Sequence, residues 1–154
     1  MDTWCGLALL LERKDEEARE RLRRAVEGIC AGGRYLMLPT AAVYLAEAGW
    51  RAGDGEAADR AADLALESAG KLGSNHLLLQ ALADFPAVLS RRLDAEPSAD
   101  SPWHTIGRAL RASPRPPWPT PWRRLRPSRP MLPDVTDRTC GELPRIVAWL
   151  LLHT

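Results

Sequence analysis

Histidine and serine side chains are the groups in this sequence that could act as metal ligands or as a nucleophile and its base. The three histidines, His76, His104 and His153, lie far apart and have no metal-ligand spacing to any cysteine. Ser101 and His104 are three residues apart, but a catalytic serine also needs an orienting group and an oxyanion site, and the sequence offers neither. Ser101 also directly precedes a proline, as a helix cap often does. We therefore predict neither a zinc site nor a catalytic serine.

A group of carboxylates, Asp54, Glu56, Asp59 and Asp63, raises the question of acid–base catalysis. Their spacing fits the exposed face of a helix, and we interpret them as solvated charges. No G-x-x-x-x-G-K-[ST] loop for nucleotide phosphates occurs in the sequence. The sequence thus predicts a protein that is not an enzyme, with no catalytic, cofactor-binding or metal residues.

Three features bear on the cellular compartment. The three cysteines, Cys5, Cys30 and Cys140, are too few and too scattered for a disulfide framework, so we expect free thiols in a reducing cytosol. Asp2 and the acidic residues that follow it replace the basic start of a signal peptide. The apolar run at 146–152 is far shorter than the roughly 20 residues that span a bilayer. We expect a soluble cytoplasmic protein without a membrane partner.

The charges are unevenly divided along the chain. Residues 1–96 carry 12 basic and 16 acidic side chains, whereas residues 97–154 carry 9 basic and 4 acidic ones. A net acidic surface repels phosphate, so we expect no broad nucleic-acid surface in residues 1–96.

The basic part contains an unusual segment at 113–133, with 8 prolines and 5 arginines in 21 positions. Such a segment lacks backbone donors and apolar periodicity, and we predict that residues 113–154 are largely disordered, with a short helix at 146–152. Arginines interleaved with Trp118 and Trp122 could bind nucleic acid weakly, and the prolines could equally serve as a polyproline ligand. Two further alternatives are a tail without function and a segment read in a shifted frame.

The pattern before residue 97 is helical. After the apolar residues 4–11, the apolar positions Ala18, Leu22, Ala25 or Val26, and Ile29 recur every three or four residues, and Gly32-Gly33 ends this helix. A third helix begins near Pro39 and extends through Trp50. Asp54 is the predicted N-cap of a fourth helix, which carries six apolar residues on one side: Ala58, Ala61, Ala62, Ala65, Leu66 and Ala69.

The next breaks come from glycine and proline. Gly70 and Gly73 end the fourth helix, and Ser74 or Asn75 caps a fifth. Pro86 should interrupt that fifth helix, because proline lacks the backbone donor and clashes with the preceding turn. Residues 97–100 form a predicted linker, and Ser101-Pro102 begins a short helix that ends near residue 111.

Residues 42–66 resemble the tetratricopeptide repeat. They contain Leu45-Ala46 on a first helix, Gly49-Trp50 and Gly53 near the turn, and small residues at steps of four and three on a second helix. A weaker copy, residues 4–29, has Trp4, Leu7 and Ala8 on its first helix and Ala18, Leu22 and Ala25 on its second. A third unit starts at His76. A generic antiparallel helical bundle is the alternative.

A narrower resemblance covers LAEAGWRAGDGEAADRAADLALESAGKLGSNHLLLQALADFPAVLSRRLDAE and the following DSPWHTIGRAL. This stretch is similar to the helical-repeat region of large actinobacterial transcriptional regulators, either LuxR-type or carrying a bacterial transcriptional activator domain. In those proteins the repeats accompany an ATPase module and a separate DNA-binding domain, and this sequence contains neither. The resemblance implies a fragment or a degenerate relative of such a regulator.

Together these observations predict an all-α protein in which antiparallel helix hairpins stack as a short tetratricopeptide-like array. We expect repeats over residues 1–96, a linker and short helix over 97–112, and the Pro/Arg-rich tail over 113–154. The expected function is a non-catalytic protein-interaction or signal-coupling module, with a protein or peptide partner on the repeat surface. A scaffold or adaptor unrelated to transcription is the alternative. The residues that could contribute to partner binding are Tyr35, Tyr44, Trp50 and His76.

Overall fold

A computed structural model describes residues 2–112. This range contains helices and no strand, which confirms the predicted all-α class. The seven α-helices of this range are α1 (Asp2–Leu11), α2 (Asp15–Ala31), α3 (Leu38–Arg51), α4 (Gly55–Leu72), α5 (His76–Asp84), α6 (Pro86–Ala95) and α7 (Pro102–Ala112). One turn of 3₁₀ helix, Tyr35–Met37, precedes α3. The expectations of a disordered tail at 113–154 and of a helix at 146–152 concern residues outside the described range.

Two residues set the ends of α4, namely Asp54 at its start and Gly73 after its last residue. The Asp54 carboxylate accepts a hydrogen bond from the Ala57 backbone N–H at 3.0 Å, which confirms the predicted N-cap. Gly73 ends the helix with φ at +65°, a left-handed conformation that glycine adopts without a steric penalty. Between these ends, Leu66 of the predicted stripe is partly buried, and the other five positions are buried: Ala58, Ala61, Ala62, Ala65 and Ala69.

Proline and serine set the boundaries of the later helices as predicted. α5 ends at Asp84, and Pro86 occupies the first turn of α6, where its missing N–H leaves no helical hydrogen bond unmade. α7 begins at Pro102, and the Trp103 N–H donates to the Ser101 hydroxyl at 3.3 Å.

The sequence predicts either Ser74 or Asn75 as the N-cap of α5. The His76 N–H donates to the Ser74 hydroxyl at 3.4 Å, whereas the Asn75 side chain makes no capping hydrogen bond. Ser74 is therefore the residue that satisfies the first turn of this helix.

Helix α3 lies at the centre of the packing. It contacts α1, α2, α4, α5 and α6, and 11 of its 14 residues are buried. Since neighbours cover α3 on nearly all sides, a partner can reach it mainly near its C-terminal end, where Trp50 is exposed.

The short helix after the predicted linker contributes to the same core. α7 contacts α5 and α6, and Trp103 is only 1% exposed. Ile106, one turn later, is buried as well. The core thus extends beyond residue 96 and includes the largest of its fully buried side chains.

Helix α1 packs through a different face from the one that the weaker repeat copy predicts. Trp4 is half-exposed, while the buried positions of this helix are Thr3, Cys5, Gly6, Leu9 and Leu10. Gly6 faces Leu22 of α2. On α2, by contrast, the three positions of the weaker repeat copy are buried: Ala18, Leu22 and Ala25.

None of the helices within residues 2–112 is long and apolar enough to cross a membrane.

Candidate interaction surface

The four residues that the sequence offered as partner contacts have different environments. Tyr44 belongs to the core: it is 3% exposed, and its ring packs edge-on against Phe85 with 5.4 Å between centroids. Tyr35, Trp50 and His76 are exposed. Of these three, Trp50 lies beside a pocket, and it is the residue around which a candidate surface can be built.

Ser101 and His104 do not form a nucleophile and base. The Ser101 hydroxyl donates to the Glu96 carboxylate at 2.6 Å, and the His104 Nε2 lies 3.1 Å from the Glu96 carbonyl oxygen. Both side chains therefore bind Glu96, which ties the start of α7 to the end of α6. Ser101 acts as the predicted helix cap.

The carboxylates of α4 and its cap are engaged in ion pairs. Asp54 caps α4 and also pairs with Arg19 at 3.1 Å, and Glu56 pairs with Arg60 at 3.6 Å. Within residues 2–112, no group of three His, Cys, Asp or Glu side chains is arranged to hold a metal ion.

The cysteines differ from one another. Cys30 is free and exposed, as expected. Cys5 is buried on α1. Cys140 lies outside the described residues.

Trp50 is an exposed aromatic side chain held from two sides. The guanidinium carbon of Arg91 lies 4.1 Å from the centre of the Trp50 ring, within the range of a cation–π interaction. On another side, a Cβ added to Gly55 would lie 3.7 Å from Cζ3 of the indole, so the first residue of α4 lies close to the ring edge. The side chain remains 42% exposed. A large aromatic surface is thus presented to solvent in a fixed orientation.

A buried carboxylate positions Arg91. Glu47 is 5% exposed and accepts hydrogen bonds from Arg51 at 2.7 Å and from Arg91 at 3.3 Å. Arg51 also donates to the Leu10 carbonyl oxygen at 3.0 Å, which links this cluster to the end of α1. Two guanidinium groups compensate the desolvated carboxylate, and the cluster restrains Arg91 against the indole.

Beside Trp50, three helices leave a small pocket with a floor of short side chains. We call it the Trp50 notch, and its lining residues are Ala46, Trp50, Ala58, Asp59, Ala62, Val88, Arg91 and Arg92. Its volume is about 10 Å³, roughly the space of one water molecule and far below the roughly 300–1,000 Å³ of small-molecule sites. The notch is therefore a shallow depression beside the indole, and the exposed indole itself is the main surface here.

Arg92, which lines the notch, is surrounded by carboxylates. Arg92 is 9% exposed and pairs with Asp59 at 3.2 Å, with Asp63 at 2.8 Å and with Glu96. Three carboxylates thus surround one guanidinium, and each of them remains more than one-third exposed. The guanidinium lies 5.7 Å from the centre of the Trp103 ring, and its Nε has no hydrogen-bond partner among the described residues.

Other exposed apolar side chains lie outside the notch. Tyr35, Leu36 and Leu72 are exposed near the turn before α3 and the end of α4, and Trp4 and Leu11 are exposed on α1.

Sequence reasoning missed most of the notch. It placed Trp50 at the end of a helix and the alanines on one stripe, but it did not pair Arg91 with Trp50 or Arg92 with Asp59 and Asp63. The Glu47–Arg51 and Arg92–Glu96 pairs have the four-residue spacing that a sequence pattern can reveal.

No protein-family model, no curated protein and no solved structure matches this chain.

Proposed function

We propose that this protein is a non-catalytic protein-interaction module and that the Trp50 notch is its contact surface. The observation that carries this proposal is the half-exposed indole of Trp50, held between Arg91 and Gly55. Tryptophan and arginine are the residue types enriched at the energetic centres of protein interfaces. A rigid aromatic side chain also loses little conformational entropy when a partner covers it.

The finer fold proposal is that α1–α2 and α3–α4 are two tetratricopeptide-like hairpins. Each pair consists of sequential helices in contact, and α3 also contacts α2 of the preceding pair and α5 of the next segment. The contact of Gly49 with Ala58, where an added Cβ would lie 3.5 Å from the Ala58 Cβ, provides the close approach that small residues allow. This packing supports the repeat interpretation, and a generic helical bundle is the alternative.

The resemblance of residues 45–110 to the helical-repeat region of bacterial transcriptional regulators supports a narrower proposal. On this proposal the chain is a fragment or degenerate relative of such a regulator, it couples a signal or a partner to transcription, and it works in the cytoplasm. A stand-alone scaffold or adaptor is the second candidate. The identity of the partner that contacts Trp50 distinguishes the two.

Site-specific photocrosslinking tests the proposed function. A photoreactive amino acid replaces Trp50 in one variant and Trp4 in a second, both expressed as full chains in the cells that naturally make the protein. Trp4 is the matched control because it is a half-exposed tryptophan on a different helix. A distinct protein crosslinked through position 50 and not through position 4, and co-purified with the unmodified chain, is the expected result. The absence of any such protein would contradict the interaction-module proposal.

A further inference from the structure

We infer that the outward face of α1 is a self-association surface, on which two copies of this chain pair in an antiparallel arrangement through Trp4, Leu7, Ala8 and Leu11. This face lies on a different helix from Trp50, so the inference does not depend on the proposed function. It rests on three properties of α1, namely its partly open apolar face, the symmetry of that face and the charges at its two ends.

Helix α1 has an apolar face that remains partly open to solvent. Trp4, Leu7, Ala8 and Leu11 are spaced at i, i+3, i+4 and i+7, so they lie on one side of the helix. The buried positions of α1 lie on the opposite side, where the helix packs against α2 and α3. Trp4 is 50% exposed and Leu11 is 46% exposed, while Leu7 and Ala8 between them are partly buried.

The composition of α1 indicates that this face is a contact surface. Between Thr3 and Leu11 the helix has no charged residue, whereas the solvent side of a surface helix is normally polar. A helix that is apolar on all sides is normally covered on all sides. The indole N–H of Trp4 is the sole polar side-chain group among the four residues of the face. A neighbour that covers this face must therefore be apolar as well.

A second copy of α1 matches this face when the two helices are antiparallel. A two-fold axis between positions 7 and 8 places Trp4 of one copy opposite Leu11 of the other, and Leu7 opposite Ala8. In each pair a larger side chain then faces a smaller one, so the two surfaces can interdigitate. An isologous dimer uses the same face on both copies, and both ends of the apolar stripe are covered at once.

The ends of α1 favour the antiparallel over the parallel arrangement. Asp2, at the start of the helix, has a side chain that is 50% exposed, although it also accepts a hydrogen bond from Arg21 of α2 at 3.2 Å. Arg13, two residues after the end of the helix, is exposed. Antiparallel pairing brings the Asp2 end of one copy near the Arg13 end of the other, and it also opposes the two helix dipoles. Parallel pairing would instead bring like charges together.

The size of the contact sets its strength. α1 has 10 residues and is therefore about 15 Å long, so the pair buries less than the roughly 1,200–2,000 Å² of stable interfaces. We therefore expect a weak dimer, with a dissociation constant of about 10–100 µM.

Sedimentation equilibrium of the full chain tests the inference at concentrations from about 2 to about 300 µM, a range that brackets the expected dissociation constant. The expected result is a monomer at the lowest concentration and a dimer at the highest. A monomer over the whole range would overturn the inference. Species larger than a dimer would contradict the closed two-fold pairing.

Matched variants locate the contact on α1. Leu11→Glu should weaken the dimer at least tenfold, because a charge would be placed in an apolar contact. Leu36→Glu changes an equally exposed type of side chain outside α1 and should leave the dissociation constant unchanged. Circular dichroism of each variant establishes that it is folded. Equal effects of the two substitutions, or no effect of Leu11→Glu, would place the dimer contact elsewhere and overturn the inference.

Photocrosslinking tests the register of the pair. A photoreactive amino acid replaces Trp4, and normal and heavy-isotope chains are mixed so that mass spectrometry separates links between copies from links within one copy. The expected link joins position 4 of one copy to the region of Leu11 in the other. A link between the two positions 4 would contradict the antiparallel pairing, and a link to another protein or within the same chain would overturn self-association. The expected second copy at position 4 leaves the comparison of positions 4 and 50 for other proteins unchanged.

Discussion

A methyl group added to Gly6 would lie 2.4 Å from Cγ of Leu22, so α1 and α2 meet at a point where only a hydrogen atom fits. Gly6 lies in the middle of α1, and Leu22 is fully buried on α2. Glycine inside a helix costs about 0.5–1 kcal/mol relative to alanine because the unfolded chain is more flexible. Here that cost accompanies a close helix contact that no other residue permits without movement of the neighbouring side chain.

The first prediction compares two glycines inside helices. Gly6→Ala should destabilise the protein by about 1–3 kcal/mol, because the added methyl group overpacks the contact with Leu22. Gly28→Ala should stabilise it by about 0.5–1 kcal/mol, because no atom lies within 4 Å of the added Cβ in the exposed part of α2. Urea denaturation followed by circular dichroism measures both. The packing of α1 on α2 would be wrong if both substitutions changed stability in the same direction.

The contrast between α1 and α4 shows what the sequence could predict about the fold. In α4, charged residues alternate with alanines, so the buried stripe is visible as a 3.6-residue period, and all five predicted alanines are buried. Residues 4–11 are almost entirely apolar, so α1 has no polar face to reveal its orientation. Its buried side is set by the fit of Gly6 to Leu22, a contact between two helices that periodicity cannot reveal.

The second prediction concerns a half-buried carboxylate. Burial raises the pKa of Asp84 above its ordinary value of 3.8, although the hydrogen bond from the Tyr44 hydroxyl opposes this shift. The folded state therefore holds the proton more readily than the unfolded state does. The ionised carboxylate consequently lowers stability at pH above its raised pKa, and this loss disappears as pH falls through that pKa towards values below 3.8.

Asp84→Asn should therefore raise the free energy of unfolding at pH 7, since the amide is neutral and still accepts the hydrogen bond from Tyr44. The gain should shrink as the pH is lowered towards 3.8. Urea denaturation of both proteins at several pH values between 7 and 4 checks this, with Asp94→Asn on the exposed surface of α6 as the control. A variant that is less stable at pH 7, with a difference independent of pH, would contradict the sign of the Asp84 shift.

Tyr44 has its own pH dependence. Burial first, and then the nearby Asp84, raise the pKa of its hydroxyl above 10. Because the folded pKa is higher than the unfolded one, the stability associated with the neutral hydroxyl is complete below about pH 10 and is lost as pH rises further. The two groups therefore make this contact between α3 and α5 sensitive to pH at opposite ends of the range.

The third prediction tests whether α7 belongs to the same core as α1–α6. Trp103→Ala should destabilise the protein by about 3–5 kcal/mol, because it leaves a large cavity among fully buried side chains. Small domains hold only about 5–15 kcal/mol in total, so this substitution should remove a large part of the free energy of unfolding. Trp4→Ala removes the same side chain from a half-exposed position and should cost far less. Thermal unfolding monitored by circular dichroism compares them, and similar melting temperatures for the two variants would contradict the integration of α7.

The candidate surface was less predictable than the fold because its contacts are distant in sequence. Trp50 and Arg91 are 41 positions apart, yet they stack at 4.1 Å, and Arg92 gathers carboxylates from α4 and from its own helix. A pattern three or four residues long identifies Arg51 as a partner of Glu47, but it gives no information about Arg91. The relative placement of α3, α4 and α6 creates the notch, and single helices read separately do not define it.

Ion pairing on α2 bears on the fourth prediction, which concerns DNA. Arg23 binds Glu20 and Glu27, and Arg24 binds Glu20 at 3.0 Å. The hydrogen bonds from Arg23 and then Arg24 lower the pKa of Glu20 to about 2. Glu20 thus stays ionised over the whole range in which DNA binding would be measured. Arg23 and Arg24 are therefore already paired with carboxylates of the same helix, while Arg21 pairs with Asp2 of α1.

We predict that residues 1–112 show no sequence-selective DNA binding. Phosphate would have to displace the carboxylates of α2, and residues 1–96 carry a net charge of −4, so few counterions would be released on binding. Any affinity of the full chain should depend on the arginines between Arg115 and Arg129 and should fall steeply with salt. Gel shifts of the full chain and of residues 1–112, at low and physiological salt, test this against a random duplex and a duplex from the protein's own promoter. As a positive control, Glu20→Gln combined with Glu27→Gln frees Arg23 and Arg24 and should raise non-specific affinity at low salt. Salt-resistant and sequence-selective binding by residues 1–112 would contradict the interaction-module proposal and would make this part of the chain a DNA-binding domain.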